Sequence, residues 1–311
     1  MPRFDWGDEE KRNSEWRVAN ELLRNVSDGT KIKRSRRKKP IDYTDPRDQS
    51  TVNLNHSFIK INGKILAMAG EGRYLGRGAY GKVKLAEDQE GKLYALKIGH
   101  ELGDVSEEEI GIANDVGIYD GKTTRIDNPE KEVVSLPYLG VSLDRIRVST
   151  EESELLAFRA INEVNRLHHG QLSRESKKYL HADIKAPNLV VDSNGKVKLI
   201  DYGLSIPAGD DVFGYKKAHT RLNVTDKHYY FAPETRYGKG RFSYKSDTYS
   251  LGWACRSVLS SRSNLRPIVR KMCDDNPMER PSLNLVEVAF LAEIHKGNDL
   301  DLERALAACR T

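Results

Sequence analysis

A chain of 311 residues with 38% hydrophobic and 31% charged side chains can bury one large core or two modest ones, and suits a soluble globular protein with some solvated, charge-rich segments. No apolar run approaches the roughly 20 residues of a membrane helix, so no membrane span is expected, and the opening "MPRFDWGDEEKRNSEW" is too polar for a secretory signal. The net charge of +5 is mild, and three cysteines (Cys255, Cys273, Cys309) without a C-x-x-C pair argue against a disulfide framework or a structural zinc site. A reducing cytoplasmic or nuclear setting is the expectation.

In chain order, residues 14–26 place Trp16, Ala19, Leu22, Leu23 and Val26 on one helical face, which needs a surface to dock on. A polar linker follows to about residue 50. Within it "KIKRSRRKK", Lys31 to Lys39, carries seven basic residues in nine. Such a run is what a solvated segment gives, and equally a nuclear import signal or a contact for acidic lipid or nucleic acid. It has no interleaved aromatics, so nucleic acid is not an expected partner. "FIKINGKILAM" alternates around Asn62-Gly63, a strong hairpin signal, and "RYLGRGAYGKVKLA" and "KLYALKI" flank "EDQEG". The spacing therefore predicts antiparallel sheet over about 56–100.

From about residue 150 the period changes to helical, with Leu155, Phe158, Ile161, Val164 and Leu167 on one side. "NLVVDSNGKVKLIDYG" reads as a hairpin turning at Asn194-Gly195, and "KSDTYSLGWACRSVL", "LRPIVRKMC" and "SLNLVEVAFLAEIHK" read as helices. The expected fold class is α+β in two lobes. The expected divisions are 1–54 (helix and basic linker), 55–141 (sheet-rich lobe and hinge), 142–295 (helical lobe) and 296–311 (tail).

Gly76, Gly78 and Gly81 in "GRGAYGKV" fit G-x-G-x-x-G-x-V. A dinucleotide fold could claim this pattern, but there it opens a helix, whereas here it lies between two strand patterns. Glycines at a β-turn-β let backbone N–H groups approach a triphosphate. Lys97 in "YALK" follows on the next strand, where a cation can hold phosphates.

With "HADIKAPN" (181–188), "DYG" (201–203), "APE" (232–234), "SDTYSLGW" with Asp247, and Arg280 in "NPMERPS", these motifs resemble the eukaryotic-type protein kinases, over roughly residues 70–290. The texture of "LPYLGVSLDRI", "HADIKAPNLVV" and "IDYGLS" is most similar to the casein-kinase and vaccinia-related kinase group, from which the intact "APE" departs. The resemblance implies a two-lobed protein kinase fold and an ATP- and Mg²⁺-dependent serine/threonine kinase with a protein substrate. It implies Asp183 as the group that accepts the substrate hydroxyl's proton, Lys185 as a neutraliser of phosphoryl charge, and Asn188 and Asp201 as Mg²⁺ ligands. Lys97 would hold the α- and β-phosphates. Leu75, Val83, Ala95, Leu136 and Val190 would wall the adenine. Pro137 lacks an N–H, so Leu139 is the expected hinge donor.

Lys97 needs a glutamate partner, and "SEEEIGIANDVG" offers Glu107, Glu108 and Glu109. Glu109 fits best, with Ile110 and Ala113 as the inward face. Ala182 stands where the family has the arginine of H-R-D, making this a non-RD pattern with one fewer anchor for phosphate at Thr220 or Thr225. Lys227 stands where serine/threonine kinases commonly show threonine. The interval from Asp247 to Arg280 is only 33 residues, so the family's extra docking helix is expected to be absent or vestigial. The N-terminal arm, the insertion "GQLSRESKK" or the C-terminal tail would then recognise partners. Such trimming is similar to compact kinases deployed by pathogens in host cells. A kinase-fold transferase acting on a non-protein substrate and a pseudokinase binding module are the other readings.

Overall fold

The computed structural model describes residues 4–32, 41–44, 51–70, 74–78, 81–209, 228–236 and 240–296, with 41–44 and 51–53 described in backbone only. The chain divides into two compact units, one of Pro2–Ile110 and Ile118–Tyr138, the other of Gly111–Gly117 and Leu139–Thr311. Among the described residues no helix is long and apolar enough to cross a membrane.

The first unit opens with helix α1 (Glu9–Leu23), followed by strands β1 (Lys31–Ile32), β2 (Ile41–Thr44), β3 (Thr51–Leu54), β4 (Ser57–Ile61), β5 (Lys64–Met68), β6 (Tyr74–Gly78), β7 (Gly81–Glu87) and β8 (Leu93–Gly99). Beyond α2 (Glu107–Asp115) come β9 (Gly121–Arg125) and β10 (Asn128–Pro137). An antiparallel sheet runs β1-β4-β5-β7-β8-β10-β9, with β6 paired to β7; β2 and β3 form a separate hairpin. Asn62 (φ 51°) and Gly63 (φ 71°) turn the β4–β5 hairpin as Asn-Gly is expected to do. One face buries Ile59, Ile61, Leu66, Tyr94, Leu96 and Val133.

Helix α1 covers another apolar layer. Trp16, Val18, Ala19 and Leu23 pack with Leu54, Phe58 and Ala67, and the Trp16 and Phe58 rings meet edge-on at 5.2 Å. The helix begins earlier than the apolar pattern suggests, because Asp8 caps it by accepting from the Lys11 N–H (2.8 Å) and Glu9 and Glu10 suit its first turn. Leu22 is exposed and Val26 lies past the helix end, while Val18 is buried. Glu15, also buried, accepts the backbone N–H groups of Asn55 and His56 at 3.0 Å each and sits 3.3 Å from His56 Nδ1. This carboxylate ties α1 to the chain entering β4.

The second unit holds β11 (Val141–Ser142), α3 (Thr150–His168), β12 (Tyr179–Leu180), β13 (Leu189–Val191), β14 (Val197–Leu199), β15 (Ile206–Pro207), α4 (Pro233–Arg236), α5 (Tyr244–Val258), α6 (Arg266–Met272) and α7 (Leu283–Ile294). Ser149 and Glu152 form a capping box that starts α3. Its buried face runs through Leu156, Ala157, Ala160, Ile161, Val164 and Leu167, so Leu155 and Phe158 are only half-buried, against the expected stripe. Glu287 of α7 is buried against α3, where burial pushes its carboxyl up and the Asn162 and Asn165 amides (3.1 and 2.8 Å) oppose the shift. Helix α5 packs on α6 at Gly252, where a Cβ would lie 2.7 Å from Cys273 Sγ and 2.9 Å from Met272 Cβ. Only α6 and a 3₁₀ turn (Pro277–Glu279) lie between α5 and Arg280, so the shortened interval carries no further helix.

Replacing Trp16 by Ala removes the centre of the α1 layer and should lower the unfolding free energy by about 3–5 kcal/mol, measured by guanidinium titration.

Candidate active site

In the first unit, Lys97 stands on β8 opposite Val83 of β7, and Ala95, two residues earlier, stands opposite Leu136 of β10. Residues two apart on a strand, and residues directly opposed, share a face. Val83, Ala95, Lys97 and Leu136 therefore line one side of the sheet, and each is only half-buried, whereas Tyr94, Leu96 and Ile98 are buried on the other. Leu75, on β6, is also half-buried. Tyr138 donates its N–H to Leu93 O (3.1 Å), which leaves the Leu139 N–H unbonded among the described residues. Gly76 pairs with Val83 and Gly78 with Gly81. Gly81 is a structural requirement: φ is +144° and a Cβ would meet Ile98 O at 2.2 Å. Gly76 and Gly78 have nothing within 4 Å of a built Cβ, so their bare backbone leaves room for a bulky group above the strand pair.

Lys97 Nζ is ion-paired with Glu109 Oε1, the two side chains being 11% and 9% exposed. Glu109 starts the buried side of α2, and its N–H donates to Ser106 Oγ (3.0 Å). Glu107 instead pairs with Lys122 at 2.7 Å on the surface, and Glu108 is exposed. The inward residues beside Glu109 are Ile112 and Ala113 rather than Ile110, which is only half-buried.

In the second unit the chain from β12 to β13 is fixed by one carboxylate. Asp247, 1% exposed, accepts the Ala182 N–H through Oδ1 (2.9 Å) and the His181 N–H through Oδ2 (2.8 Å), and His168 Nε2 lies 2.9 Å from Oδ2. Ala182 is thereby held at φ 60°, a left-handed conformation that costs a non-glycine residue about 1–2 kcal/mol. Asp183 follows, buried, with Oδ2 accepting from Lys185 Nζ (2.7 Å) and Asn188 Nδ2 (3.0 Å). Burial pushes the Asp183 carboxyl up and the Lys185 ammonium opposes it; burial pushes the His181 imidazole down.

Because Asn188 turns Nδ2 toward Asp183, its amide oxygen faces the other way. Asn188 O also accepts the Ile200 N–H (3.0 Å), and Ile200 O lies 3.2 Å from His181 Nε2. These two bonds fix the residue just before Asp201, itself left-handed at φ 64°. Val190 is buried on β13, paired across to Ser142. Arg280, also buried, donates a fork to Glu234 at 2.6 and 2.8 Å and spends its other N–H groups on the carbonyls of Asp274, Lys245 and Asp275.

Two features escape sequence reasoning. Tyr230 OH reaches Asp183 Oδ1 at 3.4 Å, and Ala182 packs with Leu204 and Phe231 in an apolar cluster joined by Tyr230 and Phe242. The aromatic run "HYYF" before "APE" was the available signal. The last turn of α2 is also held, by Asp115 accepting from the Arg174 N–H (3.1 Å) and Tyr179 OH (2.8 Å), a use for the 170–178 insertion. Thr220, Thr225 and Lys227 lie outside the described residues.

A family model for the protein kinase domain matches residues 152–266, the stretch that contains Asp183, Lys185, Asn188, Asp201, Glu234 and Asp247. Over these residues the chain is similar to protein kinase domains. Its strand-rich N-terminal part and helix-rich C-terminal part are the α+β arrangement of the two-lobed kinase fold. Relatives include a G-type lectin S-receptor-like serine/threonine-protein kinase of Arabidopsis thaliana, 31% identical over 61% of this chain and 24% of its own length. A probable cell cycle serine/threonine-protein kinase of Encephalitozoon cuniculi is 29% identical over 71% of this chain and 54% of its own length, and a MAP kinase kinase of Saccharomyces cerevisiae is 28% identical over 60% and 38%. The chain thus spans from about a quarter to about half of these proteins. A kinase domain in general uses ATP and a divalent metal.

Replacing Asp247 by Ala leaves the His181 and Ala182 N–H groups buried without an acceptor. It should cost about 3–5 kcal/mol of stability, read from denaturant midpoints at unchanged slope.

Proposed function

We propose that the chain is a serine/threonine protein kinase that transfers the γ-phosphate of ATP to a protein hydroxyl without needing phosphate on its activation segment. The observation that carries this reading is the carboxylate of Asp183, buried and held on one oxygen by Lys185 and Asn188. Asp183 accepts the proton of the acceptor hydroxyl and aims that oxygen at the γ-phosphorus. Lys185 offsets charge on the transferring phosphoryl group, and lysine at this offset suits hydroxyls of serine and threonine. Lys97, steadied by Glu109, binds the α- and β-phosphates while the Gly76–Gly78 backbone covers them. Leu75, Val83, Ala95 and Leu136 offer adenine an apolar surface on the first unit, Val190 offers one on the second, and the Leu139 N–H bonds its edge.

The Asn188 amide oxygen and the Asp201 carboxylate suit a hard cation, and Mg²⁺ is the expected one. Among the described residues no three His, Cys, Asp or Glu side chains gather into a metal cluster. Such an ion, when bound, neutralises charge on the β- and γ-phosphates.

Independence from loop phosphorylation is supported by the surroundings of Ala182. Where the family has an arginine waiting for phosphate, this chain packs apolar side chains. The subgroup reading, nearest the casein-kinase and vaccinia-related kinases, rests on the motif texture alone; none of the relatives named above belongs to it by name. Location in cytoplasm, nucleus or a host cell, with import or acidic-surface contact through Lys31–Lys39, is part of the same proposal.

The test is to incubate the full chain with γ-labelled ATP, Mg²⁺ and a protein mixture beside Asp183→Asn. Label on serine or threonine, reduced at least ~100-fold in the variant with nucleotide binding retained, is expected. Label confined to small molecules would indicate a non-protein acceptor, and binding without transfer a pseudokinase. Chelating the divalent metal should stop turnover and restoring Mg²⁺ should recover it. Phosphatase treatment that strips every loop phosphate should leave turnover in place; its abolition sinks the independence claim.

A further inference from the structure

Asp183 Oδ2 is engaged twice, by Lys185 and by Asn188. A carboxylate held at one oxygen keeps whatever swing about its Cβ–Cγ bond those two hydrogen bonds allow, and both oxygens move with it. A donor on Oδ1 narrows that swing, and the Tyr230 hydroxyl is placed there, 3.4 Å away. The contact is long, as hydrogen bonds at catalytic groups often are before substrate is bound. Burial pushes the Tyr230 phenol far up, so it serves as a donor.

The ring is as constrained as the hydroxyl. Its centroid lies 4.4 Å from that of Phe231, it joins the cluster of Ala182, Leu204, Phe231 and Phe242, and Lys185 Nζ sits 5.8 Å from its centre. One side chain thus touches both groups proposed to handle the acceptor, the hydroxyl on Asp183 and the ring face on Lys185. The ring packs against a cluster that includes Ala182, itself 4% exposed and left-handed.

We propose that Tyr230 is a positioning residue for Asp183 and Lys185, setting the plane of the carboxylate from an aromatic shelf that packs with Ala182. The inference rests on the reading of Asp183 as the acceptor's base. It concerns a tyrosine that none of the motifs quoted above assigns to the reaction.

The test compares Tyr230→Phe with wild type in the full chain, using ATP, Mg²⁺ and one protein substrate. Phenylalanine keeps the ring and its packing and loses only the donor, so a purely structural tyrosine predicts no change. The expected result is a fall in kcat of about tenfold, the order that misaiming a reacting group costs, with KM for ATP and for the protein changed by less than about twofold and an unaltered thermal midpoint. In Asp183→Asn, where there is no base left to aim, adding Tyr230→Phe should lower the residual rate no further. Tyr230→Leu should lose the same kcat and, in addition, stability. Wild-type kcat in Tyr230→Phe overturns the proposal. So does a rise in kcat, which would make Tyr230 a plug over the base, or phosphate found on Tyr230 itself, which would make it an acceptor. If wild type transfers no more label than Asp183→Asn, the base reading falls and takes this one with it; if wild type is active and only the Tyr230 result fails, the base reading stands.

Discussion

Everything that could do chemistry in the second unit hangs on one buried carboxylate. Asp247 enters from α5, a helix capped by Ser243 and Ser246 and packed into the core, and it grips two successive N–H groups of a loop with no regular structure of its own. A loop is precise only if something rigid holds it. The two amides fix the backbone at His181 and Ala182, and the left-handed bend at Ala182 then throws Asp183 the other way. From Asp183 the order passes to Lys185 and Asn188 by side-chain bonds and to Ile200 and Asp201 by backbone bonds. The strain at Ala182 and Asp201 is retained because neighbouring bonds determine the geometry from several sides.

The first unit solves a different problem, that of placing a cation on a sheet without letting it wander. Strand alternation puts Lys97 on the same side as Val83 and Ala95, and its charge is met by a glutamate delivered from a helix rather than by water. Both partners are nearly buried, so the pair is held by its geometry and its loss on either side leaves an uncompensated charge.

Much of this was legible in the sequence where covalent spacing fixes geometry. Asp183, Lys185 and Asn188 lie within six residues, Asn62-Gly63 sits in one turn, and Glu109 follows Ser106 at the helix start. What failed was phase and distance. The stripe Leu155, Phe158, Ile161, Val164, Leu167 steps by three residues, each step falling about 60° short of a full turn, so its ends drift off any one face. Leu156, Ala157, Ala160 and Ile161 keep the true period. The sequence reading puts Ile110 and Ala113 on the inward face beside Glu109, yet adjacent helical residues point about 100° apart, and Ile112 and Ala113 are the buried pair. The strand pair β9–β10 has only a weak alternating signal, broken by a register shift between Asn128 and Glu132. Tyr230 reaches Asp183 across 47 positions, which no local pattern records.

The grip of Glu15 on the N–H groups of Asn55 and His56 has a consequence for portability. The matched family segment begins at residue 152, and the glycine motif near residue 76, but the sheet carrying Lys97 is roofed by a helix that starts at Glu9 and is fastened by hydrogen bonds rather than by apolar contact alone. A piece cut at the motif boundaries would lose this roof together with β4 and β5 beneath it, and β7 would be left without its β5 neighbour. Whoever grafts this sheet elsewhere has to carry the α1 segment along, because the smallest transferable unit is set by who covers the sheet and not by where the recognisable residues begin.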